Sequence, residues 1–306
     1  NLICFIVFRF SLGSFIHVFT DMSKQIAWDK QRKHNQPVDL TESIKQFEDV
    51  RDWLSRSKVS YAIQVDPTVY EIHIEDFWKT AKVKTENGIK VITATVRNKK
   101  VTVTEERIRK VLSLGDNTRD PMRMPRDEIL DGFRGMHYVG DFSVKKEIKR
   151  NGLTKDWKYI LHVFTICLAN RKGGYDGLNL EWSAAMLSLC TQLPFNISGL
   201  IFSYMAENAN ADTKTWAMYP RFVQLLINDQ YSDLPNDGSK YIFDPPTSRQ
   251  LTELTTSQWV MMHNWMYRAE RLPIIQAEYK KYREQLSQKT AGKERQDTDN
   301  PEEEGG

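Results

Sequence analysis

Apolar side chains recur at helical spacing along most of the chain. In the stretch VDLTESIKQFEDVRDWLSRS they lie on one face, which predicts a helix with Asp39 and Glu42 as a capping box. A second helix is predicted to begin at Pro67, because proline is tolerated in a first helical turn. Its inward face is expected to carry Tyr70, Ile74, Phe77 and Ala81, with Trp78 beside it.

The spacing of apolar residues changes after Ala81. The dipeptide Asn87-Gly88 separates two β-prone runs and predicts a hairpin. A third short strand, 101–103, is expected after a four-residue turn, 97–100. The pattern therefore predicts a small antiparallel β element within a helical chain.

The next helix is predicted to start at Thr104, whose hydroxyl can cap it, and to end at Gly115. Residues 116–155 show no sustained period, and NTRDPMRMPRDE contains two prolines among mixed charges. We interpret this region as a connecting segment.

The second half returns to helical spacing. Helices are predicted over TKDWKYILHVFTICLANR, EWSAAMLSLCTQL, NISGLIFSYMAEN, YPRFVQLLIND and SQWVMMHNWMYRAERL. Trp157 and Trp182 lie on apolar faces, so we expect them in the core. A Pro-, Asp- and Gly-rich linker is expected between Ser232 and Ser248.

We predict a mainly α fold with a small antiparallel β element, an α+β arrangement with a multi-helix globular body. Residues 1–21 are almost wholly apolar, and we interpret them as non-native, upstream-translated sequence ahead of Met22, with a membrane anchor as the alternative. The expected divisions are a polar arm at 22–38, a helical subdomain with the hairpin at 39–115, the connection at 116–155, a helical subdomain at 156–287 and a disordered polar tail at 288–306.

Cysteine and histidine positions argue against several kinds of site. The three cysteines form no CxxC pair, which argues against a disulfide scaffold or structural zinc and fits an intracellular compartment, nucleus or cytoplasm. No HExxH, GxSxG or paired acid–base motif is present. We therefore assign no catalytic, cofactor-binding or metal-binding residue, and we infer no small-molecule ligand.

Basic residues cluster in two places, although the formal net charge is only +3. Clustered cations can contact nucleic-acid phosphates, whereas interleaved acidic residues are typical of an ordinary solvated face. The candidate nucleic-acid contacts are Arg97, Lys99, Lys100, Arg107, Arg109, Lys110, Lys145, Lys146, Lys149 and Arg150.

The step Tyr219-Pro220-Arg221 stands directly before an apolar run and could be either a site or the start of a helix. Pro220 suits a first helical turn, where its missing N–H costs nothing. We favour the structural reading, in which Tyr219 and Arg221 hold the helix start against neighbouring helices. With Trp78, Trp157 and Trp182, these three residues form the expected structural signature of the chain.

Four stretches together resemble a plant family of retroelement-associated proteins. They are VSYAIQVDPTVYEIHIEDFWKTAKV, VTVTEERIRKVLSLGD with the preceding β element, TKDWKYILHVFTICLANRKGGYDGLNLEWSAAMLSLCTQLPFNISGLIFSYMAEN and WAMYPRFVQLLINDQ. Members of this family are called plant transposon proteins or gag-like parts of gypsy-type or copia-type elements. The strand–helix step at 101–115 is also similar to the plant mobile domain.

This resemblance implies a gag-like, capsid-like or accessory protein, and it supplies no catalytic residues. The chain has no CCHC knuckle and no Asp-Thr-Gly or Tyr-x-Asp-Asp motif. The leading hypothesis is a non-enzymatic protein that self-associates or binds a partner. The alternatives are a nucleic-acid-binding transposition accessory protein and an enzyme with an unrecognised acidic site. Membrane association is expected only if residues 1–21 are genuine.

Overall fold

The computed structural model describes residues 26, 28, 34–38, 40, 48–140, 147–153, 155–171, 174, 176–212 and 216–243. Several predictions concern parts of the chain outside these ranges. They are the apolar segment 1–21, the Asp39–Glu42 capping box, the helix SQWVMMHNWMYRAERL and the tail 288–306.

The N-terminal helices are α1 (Glu48–Ser55), α2 (Ser60–Gln64) and α3 (Glu71–Thr80). The prediction that a helix begins at Pro67 was wrong, because residues 69–71 pair with a distant segment instead. The Tyr241 amide donates to the Val69 carbonyl at 2.8 Å, and the Glu71 amide donates to the Ser239 carbonyl at 3.0 Å. These long-range bonds hold the backbone extended until Glu71.

A three-stranded antiparallel sheet follows, in the order β1 (Lys82–Glu86), β2 (Ile89–Val96) and β3 (Lys99–Val103). The predicted Asn87-Gly88 turn is confirmed, and both residues have positive φ. The prediction of a four-residue turn at 97–100 was wrong. Arg97 and Asn98 both have positive φ and make a two-residue turn, so β3 begins at Lys99.

Helix α4 (Glu105–Val111) begins as predicted, since the Thr104 hydroxyl accepts from the Arg107 amide at 3.1 Å. It ends before Gly115, which corrects the predicted terminus. Ser113 takes the left-handed conformation, with φ of 50°, and the Leu114 amide closes the turn onto the Arg109 carbonyl at 3.0 Å.

The region 116–155 contains regular structure that its sequence did not reveal. Helix α5 (Arg126–Gly135) buries Ile129, Leu130 and Phe133, and strand β4 (Glu147–Lys149) leads into a 3₁₀ turn (Arg150–Gly152). Strand β4 pairs antiparallel with β5 (Gly177–Asn179). The sequence missed the sheet because each strand has only three residues.

The second half is helical, as predicted. Its helices are α6 (Lys155–Val163), which continues as a π-helix (Phe164–Leu168), then α7 (Leu180–Thr191), α8 (Ile197–Asn210) and α9 (Pro220–Asn228). Side chains of Asn179 and Asn196 cap α7 and α8. The predicted fold class, mainly α with a small antiparallel β element, is confirmed.

Buried apolar side chains from both halves form one core. The sheet contributes Ile92, Ala94, Val101 and Val103, against which α3 and α9 pack. Helix α4 contacts both α8 and α9, so residues before 115 and after 156 share packing. The subdomain boundaries proposed from the sequence stay a prediction.

Candidate functional site

A surface groove of about 590 Å³ lies where the end of α1, the loop after α4 and the α7–α8 junction meet. This volume lies within the range of ordinary ligand and peptide pockets. Its apolar wall is formed by Trp53, Leu114, Leu189, Leu193, Phe195 and Ile197.

The end of α7 places two leucines in the groove. Leu189 and Leu193 are four residues apart, and both are half-buried. Gln192 takes the left-handed conformation, with φ of 56°, and the Leu193 amide donates to the Ser188 carbonyl at 3.0 Å. This turn brings Leu193 back beside the helix, where it adds to the wall.

Two cations stand at the rim. Arg56 is exposed and pairs with Asp52 one helical turn away, which is a weak and exchangeable pair. Lys58 is also exposed, and its aliphatic stem lies over Gly115, where an added Cβ would come 3.3 Å from its Cγ. The groove therefore combines an apolar wall with a cationic rim.

A polar network holds the opposite wall in place. The Asp116 carboxylate accepts from the Ser198 amide at 2.6 Å, the Ser198 hydroxyl at 2.8 Å and Arg109 Nε at 2.7 Å. Arg109 also donates to Glu105 at 2.6 Å, and Asn196 donates to the same Glu105 oxygen at 3.0 Å. The network ties α4 to the first turn of α8, so Asp116 has a structural role.

Tyr219, Pro220 and Arg221 lie in the core, in agreement with the structural reading of this step. Pro220 is the first residue of α9, and Tyr219 before it has φ of 52°. Asn35 caps the helix from far away in the chain. Its Oδ1 accepts from the amides of Arg221 at 3.1 Å and Phe222 at 3.2 Å.

The Arg221 guanidinium is fully buried, and backbone carbonyls accept its hydrogen bonds. It donates to Asn35 at 3.0 Å, Val65 at 2.6 Å and Cys167 at 3.4 Å. Burial lowers the pKa of Arg221 to about 10, so it is still a cation at neutral pH. Arg221 joins the segment at 34–38, the end of α2 and the π-helix, which is a structural task.

His34 completes this buried cluster. Its Nε2 accepts from the Tyr219 amide at 2.8 Å, which requires an unprotonated Nε2. Burial, together with the nearby Arg221 cation, lowers the pKa of His34 to about 3. The ring is therefore neutral at physiological pH and acts as a hydrogen-bond acceptor.

The three signature tryptophans are core residues. Trp78, predicted only to flank its helix face, is fully buried and donates to the Met218 carbonyl at 2.9 Å. Trp182 donates to Asn170 Oδ1 at 3.2 Å and stacks on Tyr204. Trp157 is buried and belongs to the same core cluster. All three therefore support packing.

Most described members of the basic clusters are engaged within the chain. Arg97 pairs with Asp237 at 2.5 Å, Lys110 pairs with Asp229 at 3.0 Å, and Lys149 pairs with Glu147 at 2.8 Å. Arg107 also approaches Asp229, and Arg109 belongs to the Asp116 network. The linear clusters therefore do not make one free basic patch.

The remaining candidates differ in exposure. Lys99 lies over the Tyr231 ring, 5.9 Å from its centroid. Lys100 is exposed, and Arg150 is half-buried. Lys145 and Lys146 lie outside the described residues.

Sequence reasoning missed two further exposed lysines, Lys82 and Lys84, on strand β1. The pairing register places them on the same sheet face as Lys100. The signal was present as alternation in KVKTE, which puts both lysines on one side of a strand. Linear clustering does not detect residues that a sheet brings together.

Neither a metal centre nor a membrane-spanning helix is found in the described part of the chain. There, no group of three or more His, Cys, Asp or Glu side chains is arranged to hold a metal ion. No helix within the same ranges has the length and apolar content needed to cross a bilayer.

Comparison with known proteins adds no relative: no family model, curated protein or solved structure matches this chain.

Proposed function

We propose that this chain is a non-enzymatic protein of retroelement origin that works by binding other polypeptide chains, in a capsid-like or accessory role. The observation that carries the proposal is the groove, where Trp53, Leu189 and Leu193 leave apolar surface accessible beside Arg56 and Lys58. The family resemblance of the sequence motivates the retroelement origin.

The chemistry of the groove suits an apolar protein segment that carries carboxylates. Tryptophan and arginine are enriched among residues that contribute most to protein–protein binding. Apolar side chains of the partner would replace water against Leu189 and Leu193. Its carboxylates would meet Arg56 and Lys58, and Arg56 would exchange its weak pair with Asp52. In a capsid-like role the partner is a second copy of this chain.

The state of the buried reactive groups supports a non-enzymatic role. Burial raises the pKa of Cys167 to about 12, so its thiol is protonated and a poor nucleophile at neutral pH. His34 accepts a backbone hydrogen bond and has no solvent access. These groups hold the core together.

Light scattering during size-exclusion chromatography tests the proposal. The full chain should form assemblies that grow with concentration, and Leu193→Lys should disrupt them by placing a third cation in the groove. Val139→Lys is the matched control, since Val139 is an exposed apolar residue outside the groove. It should assemble as the unaltered chain does.

Two results would each contradict one part of the proposal. A monomer at every concentration would rule out self-association and therefore the capsid-like role. Assembly that survives Leu193→Lys would show that chains associate through another surface, and the groove would lose its assigned role.

A further inference from the structure

The register of the sheet gathers lysines that are distant in sequence onto one face. Lys82 lies opposite Thr93, Lys84 lies opposite Val91, and Lys100 lies opposite Thr95. Side chains that are directly opposite in an antiparallel sheet share a face. This face, which we call the lysine face, carries Lys82, Lys84, Glu86, Ile89, Val91, Thr93, Thr95, Lys100 and Thr102.

The lysine face points away from the core. The opposite face of the same strands supplies Ile92, Ala94, Val96, Val101 and Val103 to the core cluster. On the lysine face Val91 and Thr93 are buried, and Val91 lies outside that cluster. The sheet is thus apolar toward the helices and polar on its other side, as antiparallel sheets commonly are.

Most described members of the linear clusters are paired, whereas the lysines of this face make no ion pair within the described ranges. Lys82, Lys84 and Lys100 are exposed, and none of the three pairs with an acidic side chain within the described ranges. Glu86 is the acidic residue on this face, and it lies at the turn beyond Lys84. The face therefore carries a local excess of positive charge.

We propose that the lysine face binds the phosphate backbone of nucleic acid. Lys82 and Lys84 are two residues apart on β1, about 7 Å along the strand. Lys100 lies two strands away, about 10 Å across the sheet. The same face carries the hydroxyl side chains of Thr95, which is exposed, and Thr102, which is half-buried, whereas Thr93 is buried. Lysine and threonine are among the residues that commonly contact phosphate oxygens.

The composition of the face favours nucleic acid over an acidic protein. A stable protein interface has an apolar centre with aromatic anchors. The accessible part of the lysine face is instead lysine and threonine, since Val91 and Thr93 are buried, and its exposed apolar residue, Ile89, lies at the hairpin turn. The hydroxyls of Thr95 and Thr102 lie near Lys100 on this face and add donors for phosphate there. This surface is separate from the groove and does not depend on its role.

Fluorescence anisotropy with a labelled single strand, and with the duplex of the same sequence, tests the proposal. Three phosphate contacts predict a slope of about −2 in log affinity against log salt for the single strand, and about −3 for the duplex. A fourfold rise in salt should weaken single-strand binding about 20-fold. The form that binds more tightly at the same salt concentration is the preferred one.

Charge-neutralising variants locate the contact. Lys84→Gln should reduce the magnitude of the slope by about 1, and the triple change at Lys82, Lys84 and Lys100 should abolish binding. Lys90→Gln is the matched control, because Lys90 is an exposed lysine on the same hairpin but on the opposite face, across from Thr85. Glu86→Gln should tighten binding.

Three outcomes would overturn the proposal. The first is that the triple variant binds nucleic acid as well as the unaltered chain does. The second is that Lys90→Gln weakens binding as much as Lys84→Gln does. The third is that the chain binds poly-glutamate as tightly as nucleic acid, which would indicate an acidic protein as the partner. Circular dichroism must show that the triple variant is folded, which we expect because all three side chains are exposed. Leu193→Lys should still bind nucleic acid, which separates this proposal from the groove.

Discussion

Asn35 and Arg221 bind each other through two hydrogen bonds, although they lie 186 positions apart in the chain. Asn35 Oδ1 accepts from the Arg221 amide at 3.1 Å, and the Asn35 carbonyl accepts from Arg221 Nε at 3.0 Å. Both also bind the Cys167 carbonyl, at 2.7 Å for Asn35 Nδ2 and 3.4 Å for Arg221 Nη2. The pair therefore joins the N-terminal arm, the π-helix and α9 at one buried point.

Replacing Asn35 should destabilise the fold strongly. Asn35→Ala removes the cap of α9 and leaves the Cys167 carbonyl with one donor fewer, so we expect a loss of about 2–4 kcal/mol in the free energy of unfolding. Urea denaturation measures it. Asn35→Asp keeps the acceptor oxygen, so its loss in the free energy of unfolding should be smaller than that of Asn35→Ala. Asn210→Ala, at the exposed end of α8, should change stability by less than about 0.5 kcal/mol. Equal effects of the Asn35 and Asn210 changes would contradict the assigned role.

Stability should depend on pH through His34. Its pKa is lowered from 6.5 to about 3 in the folded chain, so the unfolded chain binds a proton first as pH falls. The contribution of His34 is thus present above pH 6.5 and is lost as pH falls toward 3. Between these two pH values the free energy of unfolding should fall by up to about 1.4 kcal/mol for each unit that the pH is lowered.

The comparison with His34→Gln isolates this contribution from that of the carboxylates. Glutamine can also accept from the Tyr219 amide but does not titrate, so its stability should fall less steeply over this pH range. The control His137→Gln changes an exposed histidine and keeps His34. Its free energy of unfolding should therefore fall with pH as steeply as that of the unaltered chain. Denaturation curves at several pH values between 4 and 7 provide the measurement. If the free energy of unfolding changes with pH in the same way for His34→Gln and the unaltered chain, His34 is not a neutral, buried residue.

Two glycines of α5 should respond in opposite ways to alanine. A Cβ at Gly132 would lie 2.7 Å from Cδ1 of Leu187, which is itself buried in α7, so overpacking should cost about 1–3 kcal/mol. A Cβ at Gly135 would meet nothing within 4 Å. Gly135→Ala should be neutral or stabilise by up to about 1 kcal/mol through helix propensity. Thermal denaturation of both variants measures the difference, and destabilisation of equal size would show that α5 and α7 are not in close contact.

Local sequence signals were accurate where the controlling interaction is itself local. Asn87-Gly88 specifies a two-residue turn because both positions tolerate positive φ. Thr104 caps α4 through an amide only three residues away. The apolar faces containing Ile74 and Phe77 are buried because helical periodicity alone places them together.

The same kind of signal failed where hydrogen bonds outside the motif decide the backbone. Pro67 could have opened a helix, but pairing of Val69 and Glu71 with residues 239–241 holds the chain extended. Gly115 was the expected helix end, although Ser113 takes the left-handed position. Neither the bonds to residues 239–241 nor the closing contact onto Arg109 can be read from residue type.

The sequence by itself determined the fold class, the hairpin and the buried start of α9 at Pro220, because each depends on periodicity or on the backbone preference of one residue. Only the tertiary structure decided which charges are free. Pairing with Asp229 and Asp237 engages Lys110 and Arg97, whereas sheet register brings the exposed side chains of Lys82, Lys84 and Lys100 onto one sheet face. The physical reason is that electrostatic interactions depend on distance in space, and distance along the chain does not specify it.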